Sequence, residues 1–138
     1  MQMIMKRSIA IVLFCCLAVV FTGCGKGGGG GTSTPEEENL SVKLNTDNPA
    51  KSISSSHTFT VEVLSKMPSS GVKVNVNVKR EDNSVGVYST EYTTTAAVST
   101  VTISGLPMGQ VYCVATVTVT SVTKPANTWT GSFRVLWK

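Results

Sequence analysis

From residue 39 onward the chain alternates apolar and polar residues. The cleanest run sets Val72, Val74, Val76 and Val78 against Lys73, Asn75, Asn77 and Lys79, the period-two pattern of a strand with one buried and one wet face. Leu40, Val42 and Leu44 predict a strand before it, closed by Asp47-Asn48-Pro49. Phe59, Val61 and Val63, between Thr58, Thr60 and Glu62, predict a second, closed by Met67-Pro68-Ser69-Ser70-Gly71. The valine run is the third, and Glu81-Asp82-Asn83-Ser84 turns the chain after it. Val85 and Val87 open a fourth strand running towards Thr93. A fifth covers Val98 to Ser104, with a less regular parity, and a sixth Val111 to Thr120. The seventh runs from Thr128 to Trp137, with Trp129, Phe133, Val135 and Trp137 on one side. Gly, Pro, Asn, Asp and Ser fill most of the gaps, as turns require. No segment past residue 38 carries a 3.6-residue period, so residues 39–138 are predicted to form one all-β domain, a seven-stranded β-sandwich.

The N-terminal pattern is different in kind. Lys6 and Arg7 precede thirteen uncharged, mostly apolar residues, Ile9 to Phe21. That length suits the core of a secretory signal, about 7–15 residues, and falls short of the ~20 needed to span a bilayer. Met1, Met3 and Met5 all precede the basic pair, and a start at Met5 gives a compact MKRSIA opening. Phe21-Thr22-Gly23-Cys24 ends the apolar run: one apolar residue, two small ones and a cysteine. It resembles the lipobox of bacterial lipoproteins, although Phe21 stands where that family usually places Leu. The resemblance implies a signal peptide over 1–23, cleavage before Cys24, and a diacylglyceryl group on the Cys24 thiol. Each buried methylene contributes roughly 0.8 kcal/mol, and one acyl chain alone holds only marginally; the two or three chains typical of that family hold stably. The implied location is the bacterial cell envelope, periplasmic or at the cell surface, with the membrane as a partner and the domain in water.

Between anchor and domain, residues 25–38 read GKGGGGGTSTPEEE. Five consecutive glycines cannot offset the entropy of fixing them, so residues 24–38 are expected to be the lipidated cysteine and a disordered tether. Fourteen such residues span about 20 Å root-mean-square. Pro35 and Glu36-Glu37-Glu38 are expected to stiffen and repel near the domain edge. A phosphate-binding loop is excluded, because no strand precedes the glycines, no Lys-Ser/Thr pair closes the motif and no helix follows.

Processing changes both charge and cysteine count. The formal net charge is +4; removing Lys6 and Arg7 takes Lys plus Arg from 12 to 10 against 8 acids, a net of about +2 without a basic run in the folded block, which argues against nucleic acid. Four cysteines reduce to one free thiol, since Cys15 and Cys16 leave with the signal and Cys24 carries lipid. Cys113, mid-strand with no His or Lys beside it, is expected to be buried and unpaired, a small hydrophobe.

Residues 105–114, GLPMGQVYCV, resemble the corner before the sixth strand of fibronectin type III domains, with its Gly-Leu, its Pro and a Tyr at the start of the strand. The resemblance implies an Ig/fibronectin III-like sandwich in which Tyr112 packs under the corner and bonds the upstream backbone through its hydroxyl. The inward parity of Cys113, Ala115, Val117 and Val119 puts Tyr112 on the other face, so a local irregularity is expected near Val114. An immunoglobulin-type disulfide is impossible with one thiol, and the third strand has no Trp.

Little in the domain suggests chemistry. His57 is the only histidine and is expected at an exposed strand edge, with no local nucleophile and orienting acid to make it a base. The acids are scattered or in the tether, which disfavours paired-carboxylate hydrolysis. Glu81-Asp82-Asn83 has oxygen ligands, but three neighbours in a turn do not form a calcium cage alone. No enzyme, cofactor or metal is therefore expected. Tyr88 and Tyr92 oppose Val85 and Val87 in parity and are expected to project outward about 13 Å apart, as candidate contacts for a glycan or an envelope protein. The expected function is a tethered, non-catalytic binding or adhesion module. The alternative is a structural accessory of an envelope secretion or polysaccharide-uptake complex.

Overall fold

A computed structural model describes residues 36–138. The basic and apolar leader, the lipobox with Cys24, and the glycine run lie outside the described residues. Among the described residues the structure is all strand and loop. Eight strands form in order: β1 (Val42–Asn45), β2 (Ala50–Ser52), β3 (His57–Val63), β4 (Val72–Arg80), β5 (Gly86–Thr94), β6 (Val98–Ile103), β7 (Cys113–Ser121) and β8 (Thr128–Trp137). They build two sheets, one of three strands in the order β1-β3-β6 and one of five in the order β2-β8-β7-β4-β5. One apolar core drawn from both sheets lies between them, which makes the domain a β-sandwich.

The strand beyond the expected seven is β2. Past Asn45 the chain leaves the three-stranded sheet, passes the cis Asn48–Pro49 peptide, and pairs in parallel with β8 through Ala50↔Val135 and Ser52↔Trp137. Ala50 and Ser52 are buried and Lys51 is exposed, so the alternation is present but too short and too weakly apolar to stand out.

The valine run behaves as its pattern requires. Val72, Val74, Val76 and Val78 are buried on β4, and Cys113, Ala115, Val117 and Val119 are buried on β7. The two strands run antiparallel with Val78↔Ala115, Val76↔Val117 and Val74↔Val119 in register. β-Branched side chains stack well on such a pleated face. The facing sheet contributes Phe59, Val61, Val101 and Ile103, and Phe59 meets Phe133 of β8 edge-on, ring centroids 4.9 Å apart.

Two expectations about β7 resolve differently. Cys113 is buried and free, as its parity indicated. The irregularity expected near Val114 does not occur: both ladders of β7 run unbroken from Cys113, which pairs with Arg80 and with Val135. Tyr112 precedes the strand, half-buried, with the Arg134 guanidinium 4.0 Å from its ring centroid. Its ring is held by a cation–π contact on the outer side of β7, so no bulge is needed to turn it inward. Burial pushes the Cys113 thiol pKa up, which lowers the thiolate fraction that reacts. A maleimide should therefore label Cys113 slowly in the native protein and rapidly once urea unfolds it; fast native labelling would contradict this packing.

Candidate functional site

Tyr88 and Tyr92 do not point outward. β5 pairs with β4 through Val74↔Tyr92, Val76↔Thr90 and Val78↔Tyr88, and the register shifts between Val78 and Lys79, which pairs with Gly86. Cross-strand partners share a face, so both tyrosines lie on the side of the buried valines, half-buried against the core. The Tyr92 hydroxyl sits 2.8 Å from Ser99 Oγ on β6, joining the two sheets along that side. Burial raises the Tyr92 pKa, and the Ser99 hydrogen bond opposes the shift. The reversal arises at Val87, passed over by the shift, because parity counted from Val85 and Val87 does not carry across it.

His57 is half-buried, not an exposed edge residue. It opens β3 on the inward parity of Phe59 and Val61, pairs with Ile103, lies parallel to the Phe59 ring with centroids 6.5 Å apart, and meets Phe133 at a tilt with centroids 6.1 Å apart. Its Nε2 lies 2.9 Å from Thr46 Oγ1. Desolvation lowers its pKa, while the Asp47 charge pulls the other way. A ring held by threonine and two phenylalanines is placed as a packing element at one end of the sandwich.

The acids of the 81–84 turn are occupied by arginines. Arg80 donates to Asp82 through Nε and Nη2, and this hydrogen bonding holds the Asp82 carboxyl below its ordinary pKa. Arg134 pairs with Glu81. Among the described residues no cluster of three or more His, Cys, Asp or Glu side chains could hold a metal ion.

Glu36-Glu37-Glu38 is also placed differently from expectation. Glu37 accepts hydrogen bonds from Asn127 Nδ2 at 2.7 Å and Ser121 Oγ at 3.0 Å. The Glu38 carbonyl accepts the second Asn127 amide hydrogen at 2.8 Å, and its carboxylate accepts Lys66 N at 3.0 Å. Lys124 approaches Glu36 at 3.6 Å. The described chain is therefore held to the domain from Glu36 onward, and the acids are strapped onto the loops after β3 and β7.

The outer face of the five-stranded sheet also concentrates donors and acceptors. With one face of β4 and β7 given to the core, period two sends Asn75, Asn77 and Lys79 to the other side beside Thr118, Thr116 and Val114, their register partners. Flanking strands extend the rows: Glu91 and Thr130 beside the first, Ser89 and Ser132 beside the second. A shallow groove of about 520 Å³ runs between Asn75, Asn77 and Thr116, Thr118, with Arg80 and Glu81 at one end. Neighbouring strands stand about 4.8 Å apart and successive outward residues about 6.7 Å, so amides and hydroxyls form a grid over a stiff core. This arrangement can hydrogen-bond a polar ligand; it brings no activated nucleophile and base together. The signal for it was the outward parity of Lys73, Asn75, Asn77 and Lys79, in which valines draw attention to the other side. No protein-family model matches the chain, and comparison with curated proteins finds no match either.

Proposed function

We propose that this protein is a membrane-tethered, non-catalytic binding module of the bacterial cell envelope, anchored by lipid on Cys24 and carrying an Ig/fibronectin III-like domain. The Ig-class reading is supported by strand order: β1, β3 and β6 form one sheet, and β7, the strand after the Gly105–Tyr112 corner, sits between β4 and β8 in the other, as in variable-type arrangements that add a strand beside the third. The observation that carries the binding reading is the groove over Asn75, Asn77, Thr116 and Thr118. It presents paired amides and hydroxyls on a rigid sheet, which suits a glycan or a polar protein surface. Tyr88 and Tyr92 contribute by bracing the edge of that sheet rather than by touching the ligand.

The test is a glycan array probed with the full chain and with an Asn77→Ala, Thr116→Ala double variant. Loss of two hydrogen-bonding side chains should weaken a bound glycan about tenfold while the thermal midpoint stays nearly unchanged. A glycan that binds the variant as well as the parent would remove this face from the function. Retention of envelope proteins without any glycan would favour the accessory role. For the anchor, Cys24→Ala should yield soluble or uncleaved protein; membrane retention with a free, unmodified Cys24 thiol in the parent would sink it.

A further inference from the structure

The five-stranded sheet ends on β5, whose far side carries no strand among the described residues. Open edges are usually blunted by lysine, proline, a short length or a bulge. β1 is four residues long and bears Lys43. β8 is covered at one end by β2, and beside it the Asn48 side chain accepts the Arg134 N–H at 3.0 Å. β5 has nine residues with neither Lys nor Pro; its one irregularity, at Val87, lies near its start, and from Tyr88 to Thr94 its register with β4 is unbroken. Its one charge, Glu91, is matched on β4 by Lys73 at 3.5 Å and Asn75 at 3.2 Å. β6 is also open, but it is shorter and lacks the symmetry described next.

We infer that β5 pairs with β5 of a second copy of this chain, antiparallel and centred on Thr90, joining two five-stranded sheets into one of ten. About Thr90 the strand reads nearly alike in both directions: Tyr88-Ser89-Thr90-Glu91-Tyr92. A two-fold axis there sets Tyr88 of each copy opposite Tyr92 of the other, Ser89 opposite Glu91, and Thr90 opposite itself, an isologous contact. The tyrosines share the inner face with Thr90, where cross-strand aromatic pairs are favourable. On the outer face each Ser89 hydroxyl donates to a Glu91 carboxylate. Centring on Glu91 instead would face two carboxylates, and centring on Ser89 would leave both tyrosines without an aromatic partner. Antiparallel pairing also makes the two chains enter the joined sheet from opposite ends.

Sedimentation of the full chain in detergent tests this. The parent should sediment as a reversible dimer. Ser89 is exposed, so its replacement leaves the core intact. Ser89→Lys, opposite Glu91, should tighten the dimer and Ser89→Glu should weaken it, each about fivefold, because every cross-strand charge pair occurs twice. Thr90→Cys should give a disulfide-linked dimer on mild oxidation, since directly opposed residues lie about 4.5–5.5 Å apart, within disulfide reach. A monomeric parent, Ser89 variants that shift the equilibrium in the same direction, or a Thr90→Cys chain that links only to a different protein would each overturn the pairing.

Discussion

Asn127→Ala is expected to destabilise the domain by about 3 kcal/mol, read as a lower urea midpoint with unchanged slope. Asn127 is only 6% exposed, and Leu40 is 9% exposed. The side chain uses all its main capacity: Oδ1 accepts Leu40 N at 2.8 Å, and Nδ2 donates to Glu37 Oε1 and to the Glu38 carbonyl. Alanine cannot replace any of these, and a buried donor left unmatched costs about 1–3 kcal/mol. Set against a total of about 5–15 kcal/mol for a domain, that is a large share. Release of the Glu36–Leu40 strap should also expose it to protease before the domain unfolds. Glu37→Gln, which keeps one acceptor oxygen for Asn127 Nδ2 and turns an amide donor towards Ser121 Oγ, should cost clearly less. If Asn127→Ala and Glu37→Gln shift the midpoint equally, Asn127 does not organise the strap.

Gly71→Ala should cost about 3–4 kcal/mol, for two separable reasons. Gly71 has φ +80°, and an added Cβ would stand 2.4 Å from the Thr94 carbonyl oxygen. The left-handed backbone alone costs an L-residue roughly 1–2 kcal/mol. The close approach is to backbone at the end of β5, which cannot swing away without loosening the Val72↔Thr94 pair. Gly109→Ala is the control: its φ is +96°, but nothing lies within 4 Å of the new Cβ. The difference between the two thermal shifts measures the contact. Equal shifts would mean that the 65–71 loop moves freely and that Gly71 serves conformation only.

Strand positions were legible because valine alternation is nearly unbroken where both neighbours are regular, as on β4 and β7. Parity failed on β5, where one irregularity at Val87 inverts everything after it; Gly86 was the available signal, since a glycine inside a strand pattern often marks a bulge. β2 went unread because Ala-Lys-Ser is too small and polar to show a period. His57 shares parity with Phe59 and Val61, so its inward side could have been read; the serines before it suggested a wet edge. The strap of Glu36–Glu38 was beyond reach for a different reason. Its partners, Asn127 and Ser121, lie more than 80 residues away, and polar long-range contacts leave no periodicity. The polar face needed only the complement of the valine pattern.

The strand order carries a consequence for how the chain folds as it emerges. The three-stranded sheet contains no neighbours in sequence: β3 lies between β1 and β6, and Phe59 meets Val101. In the other sheet, the central β7 bonds β4 on one side and β8 on the other. Hairpins can form locally from β4 with β5 and from β7 with β8, on a microsecond scale, but an isolated hairpin is marginal in water. The three-stranded sheet cannot be completed before β6 ends at Ile103, and the five-stranded sheet, which covers the other side of the core, cannot be completed before β8, so a chain delivered N-terminus first stays open until nearly all of it has arrived. Such a domain folds by late, non-local closure.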